Sequence, residues 1–343
     1  MKPRGDVGIA GIGMYLPDTY MTADEISRLS GIPAGVVEEK MGISRKPVPG
    51  PDDHSCEMGV WAAREALADA GISPEEIDLV IYIGEEHKEY PVWTAALRLQ
   101  EAIGARRAWA FDMALRCSTA LAGLKIAKHM ISADDSIRTV LLAGGYRNVD
   151  LIDYSNPRTR FMFNLAAGGG AVVLREGLNR NRLLETCVLT DGSFSEDVIV
   201  PAGGTKQPLT AEALERRLNF LDVPDPEAMK ERLERKSMDN FLSAVRQSLA
   251  ASGYTERDIA YLGMLHMKRS AHDFVLGELG LRDEQSIYLN EYGHVGQFDP
   301  ILSLQLAQRE GKLRQGDVVV LVSAGIGYAW SATTIVWGDS NDA

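Results

Sequence analysis

The chain repeats itself. Residues 66–77, ALADAGISPEEI, return as SLAASGYTERDI at 248–259, so that Leu67, Ala68, Gly71 and Ile77 meet Leu249, Ala250, Gly253 and Ile259, each 182 positions on. Three further echoes follow in the same order: apolar runs at 79–83 and 260–265, LAGLKIA (121–127) with ILSLQLA (301–307), and VLLAG (140–144) with LVSAG (321–325). One such match can arise by chance; four in one order point to a duplicated unit. Each unit reads as helix, buried strand, helix, strand, Ala-rich helix, strand, with Gly71 and Gly253 as helix C-caps. This alternation predicts an α/β fold with a mainly parallel sheet and helices on both faces, and two such units predict an α/β/α/β/α layered body.

The expected organisation is a first half at 1–175, a connecting strand and helical insertion at 176–245, and a second half at 246–343. Within the connection, 210–239 is charge-rich and broken at Pro224 and Pro226, which reads as an exposed, solvated helix with no catalytic part. The glycines Gly8, Gly11 and Gly13 resemble a dinucleotide turn, but Tyr15-Leu16-Pro17 follows where a helix is needed, so that reading fails. The segment 166–171, AAGGGA, reads as a crowded strand crossing or a close backbone approach to a ligand.

A net charge of −12 argues against a nucleic-acid partner. The basic opening MKPRG has no cleavage site behind it, and no run approaches the roughly 18 apolar residues of a membrane span, so the expectation is a cytoplasmic protein with no membrane partner. Three separated cysteines, Cys56, Cys117 and Cys187, give neither a disulfide framework nor a zinc site. No metal is expected.

Cys117 lies where a strand-like run gives way to helical spacing at Leu121, Leu124 and Ala127. At a helix start, the unpaired N–H groups and the positive dipole end favour thiolate over thiol, and one N–H can donate to an acyl oxyanion. Position alone leaves an inert buried cysteine equally open, which is the reading for Cys56 and Cys187. His266 closes a strand-like run, on the rim where open α/β sheets place their sites. His294 precedes the helix that echoes the Cys117 helix, so the two loops should face each other across a pseudo-twofold. A thiol with imidazoles nearby suits covalent acyl chemistry. His54, His87, His129 and His272 read as structural. The segment SAGIGYAW (323–330) is either a tight turn or a place where backbone meets ligand.

These segments carry a family resemblance across nearly the whole chain. VEEKMGISRK (37–46), FDMALRCSTALAGL around Cys117, LHMKRS around His266, YGHVGQFDPILSL around His294 and AGIGYAW resemble, in order and spacing, the thiolase superfamily, most closely its ketoacyl-acyl-carrier-protein synthase III branch. The resemblance implies a thiolase-like fold and a homodimeric acyltransferase without a bound cofactor. It would take an acyl group from an acyl-CoA or acyl carrier protein onto Cys117 and condense it with a malonyl-type thioester. It implies Cys117, His266 and His294 as catalytic residues and the N–H groups of Cys117 and Ile326 as the oxyanion hole. Arg158, Arg160 and Arg269 are candidate substrate-binding cations. The sequence departs from the branch at His294, where Asn is usual, at Arg269 in place of an Asn, at Ile326 in place of a Gly and at Val36 in place of a Trp. IGEEHKEYPV (83–92) also resembles a segment of hydroxymethylglutaryl-CoA synthases, which implies Glu86 as an acid or base in a non-decarboxylating alternative. A further alternative is simple acyl transfer without condensation. A non-catalytic partner subunit of a heteromeric synthase is a reading of another class; such a subunit needs none of Cys117, His266 and His294.

Overall fold

The computed structural model describes residues 6–326 and 328–339; the basic opening at 1–5 and Gly327 of the glycine-rich segment lie outside the described residues. The first half runs β1 (Val7–Tyr15), β2 (Tyr20–Thr22), α1 (Ala23–Ser30), α2 (Ala34–Glu39), β3 (Arg45–Pro47), α3 (Ser55–Ala70), β4 (Leu79–Tyr82), α4 (Ala95–Ile103), β5 (Trp109–Asp112), α5 (Thr119–Ala133), β6 (Thr139–Tyr146) and β7 (Gly168–Glu176). The second runs β8 (Arg180–Thr190), α6 (Ala211–Glu215), α7 (Pro226–Ala251), β9 (Ile259–Met264), α8 (Arg269–Glu278), α9 (Asp299–Arg309), β10 (Val318–Gly325) and β11 (Ala329–Asp339).

The large sheet has the order β5-β4-β6-β7-β1-β8-β11-β10-β9. Read outward from the β1–β8 junction, β1, β7, β6 and β4 match β8, β11, β10 and β9, which is the duplication expressed as topology. Helix α5 packs on β6 and β7 of its own half and on β8 and β11 of the other; α9 likewise touches β9 and β10 but also β1 and β7. These two helices therefore form the inner layer. Helices α3 and α4 cover the outer face of the first half and α7 that of the second, giving the five layers.

Two expectations are corrected. The sheet is mixed, not mainly parallel: β4–β5, β4–β6 and β9–β10 run parallel, whereas β6–β7, β7–β1, β1–β8, β8–β11 and β10–β11 are antiparallel. The β10–β11 connection has no room for the crossover helix that parallel pairing needs. The division at 245/246 falls inside α7, because nothing after Pro226 in PEAMKERLERKSMDNFLSAVRQSLAA breaks a helix until Ala251. The first part of that helix is no mere solvated insertion, since its Ser237, Met238 and Phe241 line the cavity around Cys117. The strand placed in the connection, β8, is central to the second half's sheet.

Gly11 and Gly13 serve packing rather than phosphate. A Cβ at either would fall within 2.3 Å of a carbonyl oxygen of α3, so their absence lets that helix lie directly on β1.

Candidate active site

The turn that presents Cys117 is a 3-10 segment, Arg116–Ser118, running into α5. Arg116 sits in the left-handed region at φ 50°. Its guanidinium donates to Glu85 at 3.1 Å and to Glu86 at 2.6 Å, which holds the kink from outside. Inside, the Ser323 hydroxyl donates to the Cys117 carbonyl at 2.6 Å, and Thr119 Oγ1 accepts from Leu115 N–H at 2.7 Å. A Cβ on Gly325 would lie 2.8 Å from the Cys117 nitrogen, so only glycine lets β10 approach the Cys117 N–H this closely. Ile326, the next residue, borders the same cavity.

Cys117 Sγ lies 3.1 Å from His294 Nε2. On the far side of that ring, Nδ1–H donates to Asp299 Oδ2 at 2.5 Å. Asp299 is fully buried at the start of α9 and also accepts from Val295 N–H at 2.6 Å and His266 N–H at 2.7 Å. Burial works against a charged His294, but the Asp299 carboxylate and the Cys117 sulfur outweigh it and hold the imidazole well above its usual range. His294 is thus held as its cation beside the Cys117 sulfur.

His266 differs. Its Nε2–H donates to the Gly42 carbonyl at 2.9 Å, and its Nδ1 accepts from the Asn164 amide at 2.9 Å. Burial pushes its pKa down to about 4, against the pull of the Gly42 carbonyl and Asp299, so it is neutral at pH 7. Asn164 also binds the other histidine through its backbone: His294 N–H donates to the Asn164 carbonyl at 2.8 Å, and Ala166 N–H to the His294 carbonyl at 2.9 Å. Lys46, fully buried, fixes this segment by donating to the carbonyls of Phe163 at 2.7 Å and Leu165 at 2.6 Å, and burial pushes its amine down to about 7.

Cys117, His266 and His294 share a cavity of about 360 Å3 with Asn164, Phe161 and Ile326. Phe161, Asn164, His266, Met267 and Lys268 continue into a second cavity of about 450 Å3, whose wall adds Val36, Lys40 and Arg160. The outer chamber is therefore cationic. Of the three expected substrate-binding arginines, only Arg160 lines it. Arg158 is held by Asp222 through two hydrogen bonds of 2.9 and 2.7 Å, and Arg269 by Asp273 at 2.7 Å and Asp283 at 2.9 Å. Glu86 is exposed and lines a neighbouring cavity together with Arg116, not the one around Cys117. Cys56 is buried and its thiol is pushed up to about 12; Cys187 is shifted the same way by burial. Neither lines the cavity around Cys117. Sequence reading missed Asp299, Asn164, Lys40 and Lys268.

Gly42 is the point where the early motif meets the His266 ring. Its φ is +74°, and a Cβ there would fall 1.7 Å from the Tyr288 hydroxyl, itself bonded to the Met267 carbonyl at 3.0 Å. Gly42→Ala should lower thermal stability by about 1–2 kcal/mol from the left-handed backbone alone, and should cut activity further because the carbonyl that orients His266 must move. An unchanged melting curve would contradict this.

A thiol at a helix start, backed by an imidazole and a carboxylate inside a buried cavity of a duplicated five-layer fold, defines an acyl-transferring enzyme of the thiolase type. The comparisons agree. Residues 111–192 match the family described as 3-oxoacyl-[acyl-carrier-protein (ACP)] synthase III, and residues 249–337 match its C-terminal part. The beta-ketoacyl-[acyl-carrier-protein] synthase III of Symbiobacterium thermophilum is 30% identical over 339 residues, covering 98% of this chain and 100% of the relative. The chain belongs to the 3-oxoacyl-[acyl-carrier-protein] synthase III family. Its fold is shared by the 3-oxoacyl-(acyl carrier protein) synthase III of Pseudomonas aeruginosa PAO1, with a TM-score of 0.82 at 22% identity over 98% of this chain and 100% of that one. It is also shared by the priming beta-ketosynthase of the R1128 polyketide pathway, with a TM-score of 0.83 at 21% identity over 98% of each chain. No helix among the described residues is long and apolar enough to cross a membrane.

Proposed function

We propose that this protein takes an acyl group from an acyl-CoA or acyl carrier protein onto Cys117 and condenses it with a malonyl-type thioester, with loss of CO2. The observation that carries this reading is the 3.1 Å contact between Cys117 Sγ and His294 Nε2 in a cavity that His266 also lines. The thiolate attacks the thioester carbon, and the N–H groups of Cys117 and Ile326 receive the oxyanion. His294, reprotonated at Nε2 after CoA has left with its proton, then offers Nε2–H to the malonyl thioester carbonyl, and His266 offers its own N–H by releasing Gly42. Those two donors stabilise the enolate left when CO2 departs. Lys40, Arg160 and Lys268 suit the phosphates of CoA or of a carrier's prosthetic arm. CoA thioesters enter as substrates, with no resident cofactor required by this chemistry. The protein is proposed to act as a cytoplasmic homodimer; Tyr90 and Val92, both strongly exposed beside the Glu86 loop, support contact with a second copy.

Intact-mass measurement after treatment with a panel of acyl-CoAs tests the first half-reaction, and CO2 release from labelled malonyl thioester tests the second. Glu86→Gln separates this chemistry from a non-decarboxylating one. Glu86 pairs with Arg116 outside the Cys117 cavity, so turnover should stay within a few-fold. A fall of about 10³, the scale of a lost general base, would make Glu86 the proton acceptor instead.

A further inference from the structure

We propose that the acyl group on Cys117 has a second exit, transfer to an oxygen nucleophile (water or a small alcohol), with His294 as general base and Asp299 as its positioning residue. This rests on the acyl-Cys117 reading above. Asp299 is wholly buried and fixed by three donors, one of them His294 Nδ1–H at 2.5 Å. The ring is therefore locked with its proton on Nδ1 and its Nε2 aimed at the sulfur 3.1 Å away. When His294 gives its Nε2 proton to the departing CoA sulfur, the neutral ring left beside the thioester presents a lone pair until it is reprotonated. His266 is no rival base, because its Nδ1 lone pair is taken up by the Asn164 amide and its Nε2 carries the proton given to Gly42. A lone pair held beside an acyl-sulfur bond by a carboxylate is the arrangement of base-assisted acyl transfer.

The step balances without a further reagent. His294 Nε2 takes the hydroxyl proton as the oxygen attacks the acyl carbon. The carbon–sulfur bond then breaks, restoring the Cys117 thiolate and the His294 imidazolium and releasing an ester, or the free acid when water attacks. A hydroxyl fits better than an amine. Among the described residues lining the cavity there is no carboxylate to receive an ammonium, and Phe161, Met162, Phe241 and Leu265 are apolar walls.

The test isolates Cys117-acylated protein, free of malonyl donor, and follows loss of the acyl mass in buffer and in buffer with ethanol. Free acid identifies water as the acceptor, and ethyl ester the alcohol. The wild type should discharge at least about 10²-fold faster than Asp299→Asn, the lower bound for a general base. The ratio of discharge to condensation should fall in that variant, whereas general loosening would lower both together. His294→Asn covers the case in which Asp299→Asn fails to fold: it removes the base but keeps an N–H donor, so discharge should fall much further than condensation. A wild-type acyl-enzyme as long-lived as either variant's would overturn the second exit while leaving acylation intact. Absence of any adduct would overturn both readings.

Discussion

Cys117→Ala should take up no acyl group from any acyl-CoA, and turnover should fall by about 10⁶, the scale seen when a covalent nucleophile is removed. The size of the effect follows from the lack of a substitute. Cys56 is buried with its thiol bonded to the Ala95 carbonyl and its pKa raised, and Cys187 lies away from the cavity. Peptide mapping of the acylated wild type should place the adduct on Cys117 alone. Retained labelling in Cys117→Ala would remove the nucleophile assignment and with it the acyl-enzyme.

His294→Ala should also be strongly damaging, for two reasons that separate experimentally. It leaves Asp299 buried without its cationic partner, and breaking a buried pair this way costs about 3–5 kcal/mol of stability. It also removes the imidazole that lies 3.1 Å from the Cys117 sulfur, so acylation slows even in protein that remains folded. His294→Asn restores an N–H donor, the group that the family usually has at this position, and should keep a measurable part of condensation. Losing one such donor outright costs about 10²–10³ in rate. Thermal melts report the first effect, and the rate of acyl loading at a temperature where all variants are folded reports the second. Equal loss of condensation in the Asn and Ala variants would mean that His294 acts in condensation as an acid or base rather than as a donor.

Much of this architecture was legible because a duplication constrains topology: the echoes at 66–77 and 248–259 end helices that sit in matching outer layers, and the predicted confrontation of the Cys117 and His294 loops became a 3.1 Å contact. Asp299 was not legible. An aspartate in the first turn of a helix is an ordinary partner for the helix dipole, and only tertiary packing turns this one inward onto two histidine segments. The spacing GHVGQFD, an acid five residues after a histidine at a helix entry, was the available signal. The arginines misled for a related reason: Arg158 and Arg269 are cations near the site in sequence, but each is held by acidic partners, two of them, Asp222 and Asp283, more than ten residues away along the chain. The parallel sheet was over-predicted because periodicity finds strands and helices without saying which connection omits its helix.

The chain's symmetry has a consequence for its reactivity. Cys117 belongs to one copy of the ancient unit, whereas its imidazole, its carboxylate and the strand that grips its backbone (Ser323, Gly325) belong to the other. Neither copy holds this constellation alone; it is a property of their contact. During synthesis, the first copy is therefore made before its cysteine has these neighbours: His294 follows 177 residues after Cys117 and Ser323 follows 206 residues after it, so the thiol's surroundings are completed only with the second copy.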